Sequence, residues 1–221
     1  MIKAVVVDVD DTLCLTEAIC FELENDTLSQ MERSPMSREI HLSTWGQPLN
    51  EAIKERSPGV DVTIFEKLFE STMEEYVLQG KLDQIPNQNY AALDILIEQG
   101  RDIMLLTSRT HSELKHMLAP DHLLAKRVTA FYYKDNTKFH KPDPRVFDEL
   151  FEAHGLESHQ CLYIGDSPGD AAAAKQAGLH FIASLESGIR EEKDFRDFGV
   201  DGYVQAFPEI VEAIGILEKS V

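Results

Sequence analysis

Three aspartates lie within four positions near the start of the chain, in the stretch DVDDTL at residues 8–13. They directly follow the mostly apolar run IKAVVV, which is typical of a buried strand. Like charges this close raise one another's pKa values and destabilise a fold unless something offsets them. The stretch is therefore either a solvated acidic turn or a site that receives a cation, and the rest of the chain has to decide between the two.

Two later apolar runs also end in polar residues that could do chemistry. The run DIMLL at residues 102–106 precedes TSR, and CLYIG at residues 161–165 precedes DSPGD. Lys141 stands just before Pro142, at a predicted helix start in the same half of the sheet. In an open parallel sheet, ligands bind beyond the carboxyl ends of the strands. The candidate residues that converge there are Asp8, Asp10, Thr107, Ser108, Arg109, Lys141, Asp166 and Asp170.

The elements that would position these residues follow from the apolar pattern. Further strand-like runs occur at residues 128–133 and 180–184, and helical patterns separate the runs. The helical segments end at Gly100, Gly155 and Gly178, and glycine is the residue that most often follows a helix. Strands that alternate with helices predict an α/β fold, a Rossmann-like parallel sheet with helices on both faces.

One long segment breaks this alternation. Residues 14–85 contain no run that resembles a buried strand, and TIFEKLFESTMEEYVLQG within it has an apolar stripe at helical spacing. Thr63 and Glu66 fit a capping box at the start of that helix. We therefore expect a core domain at residues 1–15 and 86–221 and an inserted α-helical cap domain at residues 16–85. The alternative is that these helices extend a single core.

Composition excludes several classes of protein. The 221 residues carry a net charge of −18, which argues against nucleic acid because binding to its phosphates depends on Lys and Arg. No apolar run is long enough to span a membrane, and the N-terminus lacks a secretory pattern. The three cysteines form no CxxC pair. Reduced thiols and a cytoplasmic location are expected.

The ordered motifs resemble those of the haloacid dehalogenase superfamily of phosphatases and phosphotransferases. DVDDT matches its DxDxT motif, Thr107 follows an apolar strand, Lys141 lies in KPDPRVF, and GDSPGD matches GDxxxD. The resemblance covers nearly the whole chain and is greatest to the branch of phosphoglycolate phosphatase and β-phosphoglucomutase, whose members carry a helical cap. The chain departs from that branch at Leu15, where an acid is expected, and at Thr16, where a serine is expected.

The resemblance implies different catalytic roles for the first two aspartates. Asp8 would be the nucleophile, because a carboxylate can attack phosphorus and form an acyl phosphate that is later released. Residues i and i+2 of an extended segment point the same way, so Asp10 would face the same substrate. The family uses that residue as the general acid toward the leaving alcohol and then as the base toward water.

The resemblance also implies a magnesium ion and groups that bind the phosphoryl oxygens. Asp8, the backbone carbonyl of Asp10 and Asp166 would hold Mg²⁺, which prefers few protein ligands, all of them oxygen. Lys141 would offset the carboxylates and bind phosphoryl oxygens as a point charge. Thr107 and Ser108 can donate hydrogen bonds to the same oxygens. Asp170, one helical turn after Asp166, would orient Lys141 or a water on the metal.

Other residues have two readings each. Arg109 is either a substrate contact or a surface charge, and Asp11 is a turn residue or a helix cap, since many relatives have glycine there. Thr12 is expected to stabilise its loop. The segment STWGQPLNEA resembles a loop that relatives place near the active site, so Trp45, Gln47 or Arg38 are candidates for substrate contact, with core packing as the alternative for Trp45.

The sequence therefore predicts a magnesium-dependent phosphomonoesterase that acts on a small phosphorylated metabolite through an aspartyl-phosphate intermediate. A phosphomutase of the β-phosphoglucomutase type would use the same site, but no signature of a sugar-holding cap is evident. A dehalogenase is disfavoured, because Asp10 would be unnecessary for displacing halide. A catalytically silent binding module on the same fold is the alternative from a different class.

Overall fold

The computed structural model describes residues 1–220, and the chain divides into two compact units. One unit comprises Met1–Cys14 and Ile85–Val221, and we call it the core unit. The other comprises Leu15–Gln84, and we call it the helical unit. Within the described residues, no helix combines the length and the apolar character needed to cross a membrane.

The described residues of the core unit contain a six-stranded sheet in which every pairing is parallel. The strand order is β3-β2-β1-β4-β5-β6, so the first strand lies in the middle of the sheet. The strands are β1 (Ala4–Val7), β2 (Asp102–Leu106), β3 (Ala130–Tyr132), β4 (Cys161–Gly165), β5 (His180–Ser184) and β6 (Gly202–Val204). The predicted α/β class and parallel sheet are confirmed, and β6 is an edge strand that the sequence pattern did not indicate.

Both faces of the sheet are covered, which explains why its central strands are apolar at every position. Val5 and Val7 of β1 belong to one buried cluster, whereas Ala4 and Val6 belong to another on the opposite face. All four side chains are fully buried. Alternate residues of a strand point to opposite faces, so a strand buried on both sides needs a continuous apolar sequence.

Helices from both halves of the core unit complete these two clusters. Leu93 and Ile214 lie in the cluster with Val5, whereas Leu150 and Ala174 lie in the cluster with Val6. Gly155 and Gly178 follow two of the helices with positive φ values of 61° and 84°, as the sequence predicted for helix ends. The α-helices of this unit are α5 (Asn87–Glu98), α6 (His111–Leu114), α7 (Asp148–His154), α8 (Pro168–Ala177) and α9 (Ile210–Ser220).

The helical unit has a hydrophobic core of its own, in which Leu23, Ile53 and Phe65 are fully buried. The predicted capping box at Thr63 and Glu66 is wrong. The side chain of Asp61 accepts hydrogen bonds from the backbone N–H groups of Thr63 and Ile64, so the N-cap is Asp61 and the helix begins two residues earlier than the box predicts. The helices of residues 15–84 are α1 (Glu17–Gln30), α2 (Arg38–Ser43), α3 (Leu49–Arg56) and α4 (Val62–Leu78).

A buried ion-pair network joins α1, α2 and α3 within this unit. The Arg56 Nη1 atom lies 2.6 and 2.7 Å from the two carboxylate oxygens of Glu24, and both side chains are 2% exposed. His41 Nδ1 lies 2.7 Å from Glu17 Oε1. Arg56 also donates to the hydroxyl and the carbonyl of Thr44. The guanidinium of Arg56 is therefore satisfied on several sides, as burial of a charge requires.

We expect Arg56→Met to destabilise the helical unit by about 3–5 kcal/mol, because the substitution leaves the Glu24 carboxylate buried without its cation. Urea unfolding followed by the fluorescence of Trp45, the sole tryptophan of the chain, measures the free energy of unfolding of this unit. Lys193→Met is the control, since Lys193 and Glu191 form an exposed ion pair. Equal unfolding midpoints for the two variants would show that the buried network contributes no stability.

Candidate active site

The parallel sheet brings three polar strand ends to one edge. Asp8, Thr107 and Asp166 each follow the last residue of their strand, and these strands are neighbours in the order β2-β1-β4. Val7 pairs with Leu105 on one side and Ile164 on the other. The backbone N–H of Asp8 donates to the carbonyl of Ile164 at 3.0 Å, and that of Thr107 donates to Tyr132 at 3.0 Å. Sheet hydrogen bonds therefore fix the backbone at the site.

Lys141 joins this edge from the segment between β3 and α7. Its Nζ atom lies 3.1 Å from Asp8 Oδ1, 2.6 Å from Asp170 Oδ1 and 3.0 Å from the hydroxyl of Tyr163. Its side chain is 10% exposed. Although burial opposes the charged form, the carboxylates of Asp170 and Asp8 raise the pKa of Lys141 above its usual range. Lys141 is therefore an ammonium cation bound between two of the predicted site carboxylates.

Asp8 lies in an environment that disfavours its charged form when no metal is bound. Its pKa is raised to about 7, chiefly by burial and also by the charges of Asp170 and Asp10, while Lys141 opposes the rise. A shift of this size is typical of functional carboxylates. A divalent cation beside Asp8, in addition to Lys141, would lower this pKa, because an opposite charge favours the ionised carboxylate.

Asp166 is buried without a visible cation partner. It is 6% exposed, and among residues 1–220 its carboxylate forms neither a hydrogen bond nor an ion pair within the distance limits of such contacts. Burial raises its pKa well above the usual range, with further contributions from Asp170 and Asp8. Oxygen atoms of Asp8, Asp166 and Asp170 lie within 4.8 Å of one another. This all-oxygen donor set fits Mg²⁺.

Asp170 already has a partner for each carboxylate oxygen. Its Oδ1 atom accepts from Lys141 and, at 2.9 Å, from the Tyr163 hydroxyl, and its Oδ2 atom accepts from the backbone N–H and hydroxyl of Ser167 at 3.0 and 2.6 Å. The N–H of Asp170 donates back to the Ser167 hydroxyl at 3.1 Å, which completes a capping box at the start of α8. Whether Asp170 orients Lys141 or a water on the metal, as the resemblance implies, stays a prediction.

Gly165 makes room for this carboxylate. A Cβ atom at position 165 would lie 2.7 Å from the Cβ and Cγ atoms of Asp170, a distance that real Cβ contacts do not show. The glycine at the end of β4 is therefore required by close packing and not by an unusual φ value.

Asp10 is bound by Arg109, which is a contact that the sequence did not indicate. Arg109 Nε lies 3.2 and 3.0 Å from the two oxygens of Asp10, and Nη2 lies 2.6 Å from Oδ1. The Arg109 side chain is 7% exposed, whereas that of Asp10 is 27% exposed. The reading of Arg109 as a surface charge is wrong, because this side chain is buried and forms a two-pronged ion pair.

The remaining predicted site residues have simpler surroundings. Thr107 is buried, and its hydroxyl accepts a hydrogen bond from the backbone N–H of Arg109 at 3.3 Å. Ser108 is half-buried. Asp11 is buried with a φ of 52°, a left-handed conformation that Asp tolerates and Gly favours. This left-handed backbone conformation supports the interpretation of Asp11 as a turn residue. The buried Thr12 hydroxyl has no hydrogen-bond partner among the described residues, so it does not stabilise the loop by a hydrogen bond.

Three candidates for substrate contact lie in the helical unit. Arg38 forms an ion pair with Glu17 and lies over the ring of Phe21 at 5.0 Å, and its side chain is 45% exposed. The ring of Trp45 packs against that of His41 at 5.2 Å. Gln47 is exposed. Packing against His41 thus explains part of the surroundings of the Trp45 ring. A role in substrate contact for Arg38, Trp45 or Gln47 stays a prediction.

The fold and the strand-end carboxylates together define a class: an α/β protein with a buried Asp directly after its central strand. Residues 5–184 match the family model described as haloacid dehalogenase-like hydrolase. The chain belongs to the haloacid dehalogenase-like hydrolases.

Similar proteins include several phosphatases. The chain is 25% identical to phosphoglycolate phosphatase of Nitrosospira multiformis over 99% of its own length and 97% of that protein's. It is 23% identical to phosphorylated carbohydrates phosphatase of Thermotoga maritima, over 98% and 99% of the two chains. The crystal structure of CbbY from Rhodobacter sphaeroides in complex with phosphate shares the fold, with a TM-score of 0.79, 19% identity and coverage of 95% and 96%.

Proposed function

We propose that the protein is a magnesium-dependent phosphomonoesterase that forms an aspartyl-phosphate intermediate on Asp8. The observation that carries the proposal is the contact of Lys141 Nζ with both Asp8 and Asp170, beside the buried carboxylate of Asp166. A positive and a negative group thus stand together where a phosphate ester would need both a nucleophile and a counter-charge. Membership of the hydrolase family and the phosphatase relatives support the same reading.

In the first half of this reaction, an oxygen of Asp8 attacks phosphorus, the bond between phosphorus and the ester oxygen breaks, and an acyl phosphate forms. Asp10 donates a proton to the leaving oxygen, for which one of its carboxylate oxygens must turn from Arg109 toward the substrate. Lys141 binds phosphoryl oxygens as their charge spreads, and the Thr107 and Ser108 hydroxyls donate to the same oxygens.

In the second half, Asp10 takes a proton from water, and the water oxygen bonds to phosphorus as the acyl phosphate breaks. Phosphate leaves, and the carboxylate of Asp8 is restored. Asp8 and Asp166 would hold Mg²⁺ with the backbone carbonyl of Asp10, and the bound ion would neutralise charge on the phosphoryl oxygens.

The substrate is proposed to be a small phosphorylated metabolite. The net charge of −18 would repel polyanions such as nucleic acid, and the named relatives act on phosphoglycolate or phosphorylated carbohydrates. By resemblance to the family, the helical unit is a cap that contributes specificity.

A substrate panel tests this proposal. Hydrolysis of 4-nitrophenyl phosphate, phosphoglycolate, sugar phosphates, pyrophosphate and a phosphopeptide is ranked by kcat/KM with Mg²⁺ present. We expect a small phosphate monoester to rank first and the phosphopeptide last. Phosphate transfer back to a sugar would point to a mutase, and a complete lack of turnover would contradict the proposal.

Asp10→Asn is expected to lower kcat by roughly 10²–10⁴-fold, the usual contribution of one general acid–base group. An amide cannot give up or accept the proton that the reaction moves. The loss in the first half-reaction should be smaller for aryl phosphates, whose leaving groups need no protonation, than for alkyl phosphates. Single-turnover rates across a series of leaving groups measure this difference. An equal loss for all leaving groups would assign Asp10 a structural role instead.

A further inference from the structure

The hydroxyl of Tyr163 contacts both Lys141 and Asp170 but takes no part in the proposed reaction steps. Tyr163 is fully buried in β4, and its hydroxyl lies 3.0 Å from Lys141 Nζ, 2.9 Å from Asp170 Oδ1 and 3.2 Å from the backbone carbonyl of Leu106. Leu106 is the last residue of β2 and precedes Thr107. The hydroxyl therefore connects Lys141 to the backbones of two sheet strands.

The hydrogen-bond donors and acceptors around this hydroxyl match one another. A lysine ammonium has three N–H groups, and Lys141 has three oxygen neighbours here, on Asp8, Asp170 and Tyr163. The single O–H of Tyr163 goes to Asp170 or to the Leu106 carbonyl, which leaves a lone pair that accepts from Lys141. Each proton thus has an acceptor, so the position of Nζ is determined by three contacts.

Without this hydroxyl, the third N–H group of Lys141 would lose its acceptor in a buried site. Of the three oxygen contacts of Nζ, only those with Asp8 and Asp170 would remain. Two contacts leave Nζ able to rotate about the line that joins them, whereas three contacts fix it. Asp170 or the Leu106 carbonyl would lose a donor at the same time.

We propose that Tyr163 is a positioning residue that holds Lys141 Nζ at hydrogen-bonding distance from Asp8, where it can bind the phosphoryl oxygens of the substrate. The proposal deepens the proposed function and rests on it for the role of Lys141. The alternative is that Tyr163 only fills the core, since its ring also packs against Phe147 at 5.4 Å and Phe181 at 6.0 Å.

Tyr163→Phe separates these readings because it removes the hydroxyl and keeps the ring. We expect kcat for 4-nitrophenyl phosphate to fall about 10–100-fold, the effect of losing one hydrogen bond to a charged group. Tyr132→Phe is the matched control, because Tyr132 is buried in the same cluster and its hydroxyl contacts His154 at 3.1 Å. The control should keep wild-type activity.

A double-mutant cycle with Lys141→Met tests whether the effect acts through the lysine. The affinity for inorganic phosphate is measured calorimetrically with Mg²⁺ present in the wild type, both single variants and the double variant. Tyr163→Phe should weaken phosphate binding when Lys141 is present and should change it less than about twofold when Lys141 is absent. The same loss in both backgrounds would mean that the hydroxyl stabilises the fold in general, which would overturn the proposal.

A crystal structure of the Tyr163→Phe variant gives a readout that depends on no activity. Displacement of Lys141 Nζ from Asp8 is expected, and an unmoved Nζ would overturn the positioning role. If the wild type hydrolyses no phosphate ester, the proposed function fails, yet this structure still decides whether the hydroxyl positions the lysine. The two failures are therefore distinguishable.

Discussion

Asp8→Asn is expected to reduce turnover by roughly 10⁴-fold or more, to the limit of detection, the scale on which loss of a nucleophile acts in enzymes. The amide has nearly the shape of the carboxylate, but its oxygen is a poor nucleophile and cannot form the acyl phosphate. The backbone at this position is fixed by the hydrogen bond to Ile164, so the variant should keep the fold. A steady-state assay with 4-nitrophenyl phosphate measures the loss.

The control for this prediction is Asp102→Asn, the same chemical change at the opposite end of the neighbouring strand. Asp102 is exposed and pairs in register with Ala4, at the start of β1. It should keep full activity. Trapping with beryllium fluoride provides a second measurement, because the phosphate mimic should attach to Asp8 alone. Substantial activity in Asp8→Asn, or a mimic on another residue, would assign the nucleophile elsewhere.

The central strands and the order of site residues could be predicted because their signals are local. A strand buried on both faces must be apolar throughout, so β1, β2, β4 and β5 are visible in the sequence as continuous runs. Parallel pairing then brings their carboxyl ends together, and the residues that follow them must be neighbours. No knowledge of a distant contact is needed for Asp8, Thr107 and Asp166 to converge.

Features that depend on distant partners could not be predicted in this way. Arg109 and Asp10 are 99 positions apart, and nothing near either residue indicates that they pair. Tyr163 looks like an ordinary strand residue, although a tyrosine inside a buried strand usually needs a hydrogen-bond partner, and that rule would have marked it. The first turn of α4 shows a local failure, because Asp61 and Thr63 are both good caps and Asp61 provides the observed cap.

Removal of magnesium is the second change for which we expect a loss of all activity. Without the ion, burial and the neighbouring carboxylates raise the pKa values of Asp8 and Asp166, so a divalent cation would be needed to keep both ionised. Chelator should abolish hydrolysis, and added Mg²⁺ should restore it. Asp166→Asn should weaken the binding of Mg²⁺ and of phosphate together.

Thermal unfolding tests the same site without any assay of activity. A ligand that binds only the folded state stabilises it, by about 2.7 kcal/mol at a concentration 100 times its Kd, which corresponds to about 5–10 °C in Tm for a protein of this size. The wild type and the Asp102→Asn control should show this rise with Mg²⁺, and Asp166→Asn should lose most of it because one of the buried carboxylates proposed to bind the cation is gone. Full activity in chelator, or an equal rise in Tm for Asp166→Asn, would contradict the proposed metal site at the ends of β1 and β4.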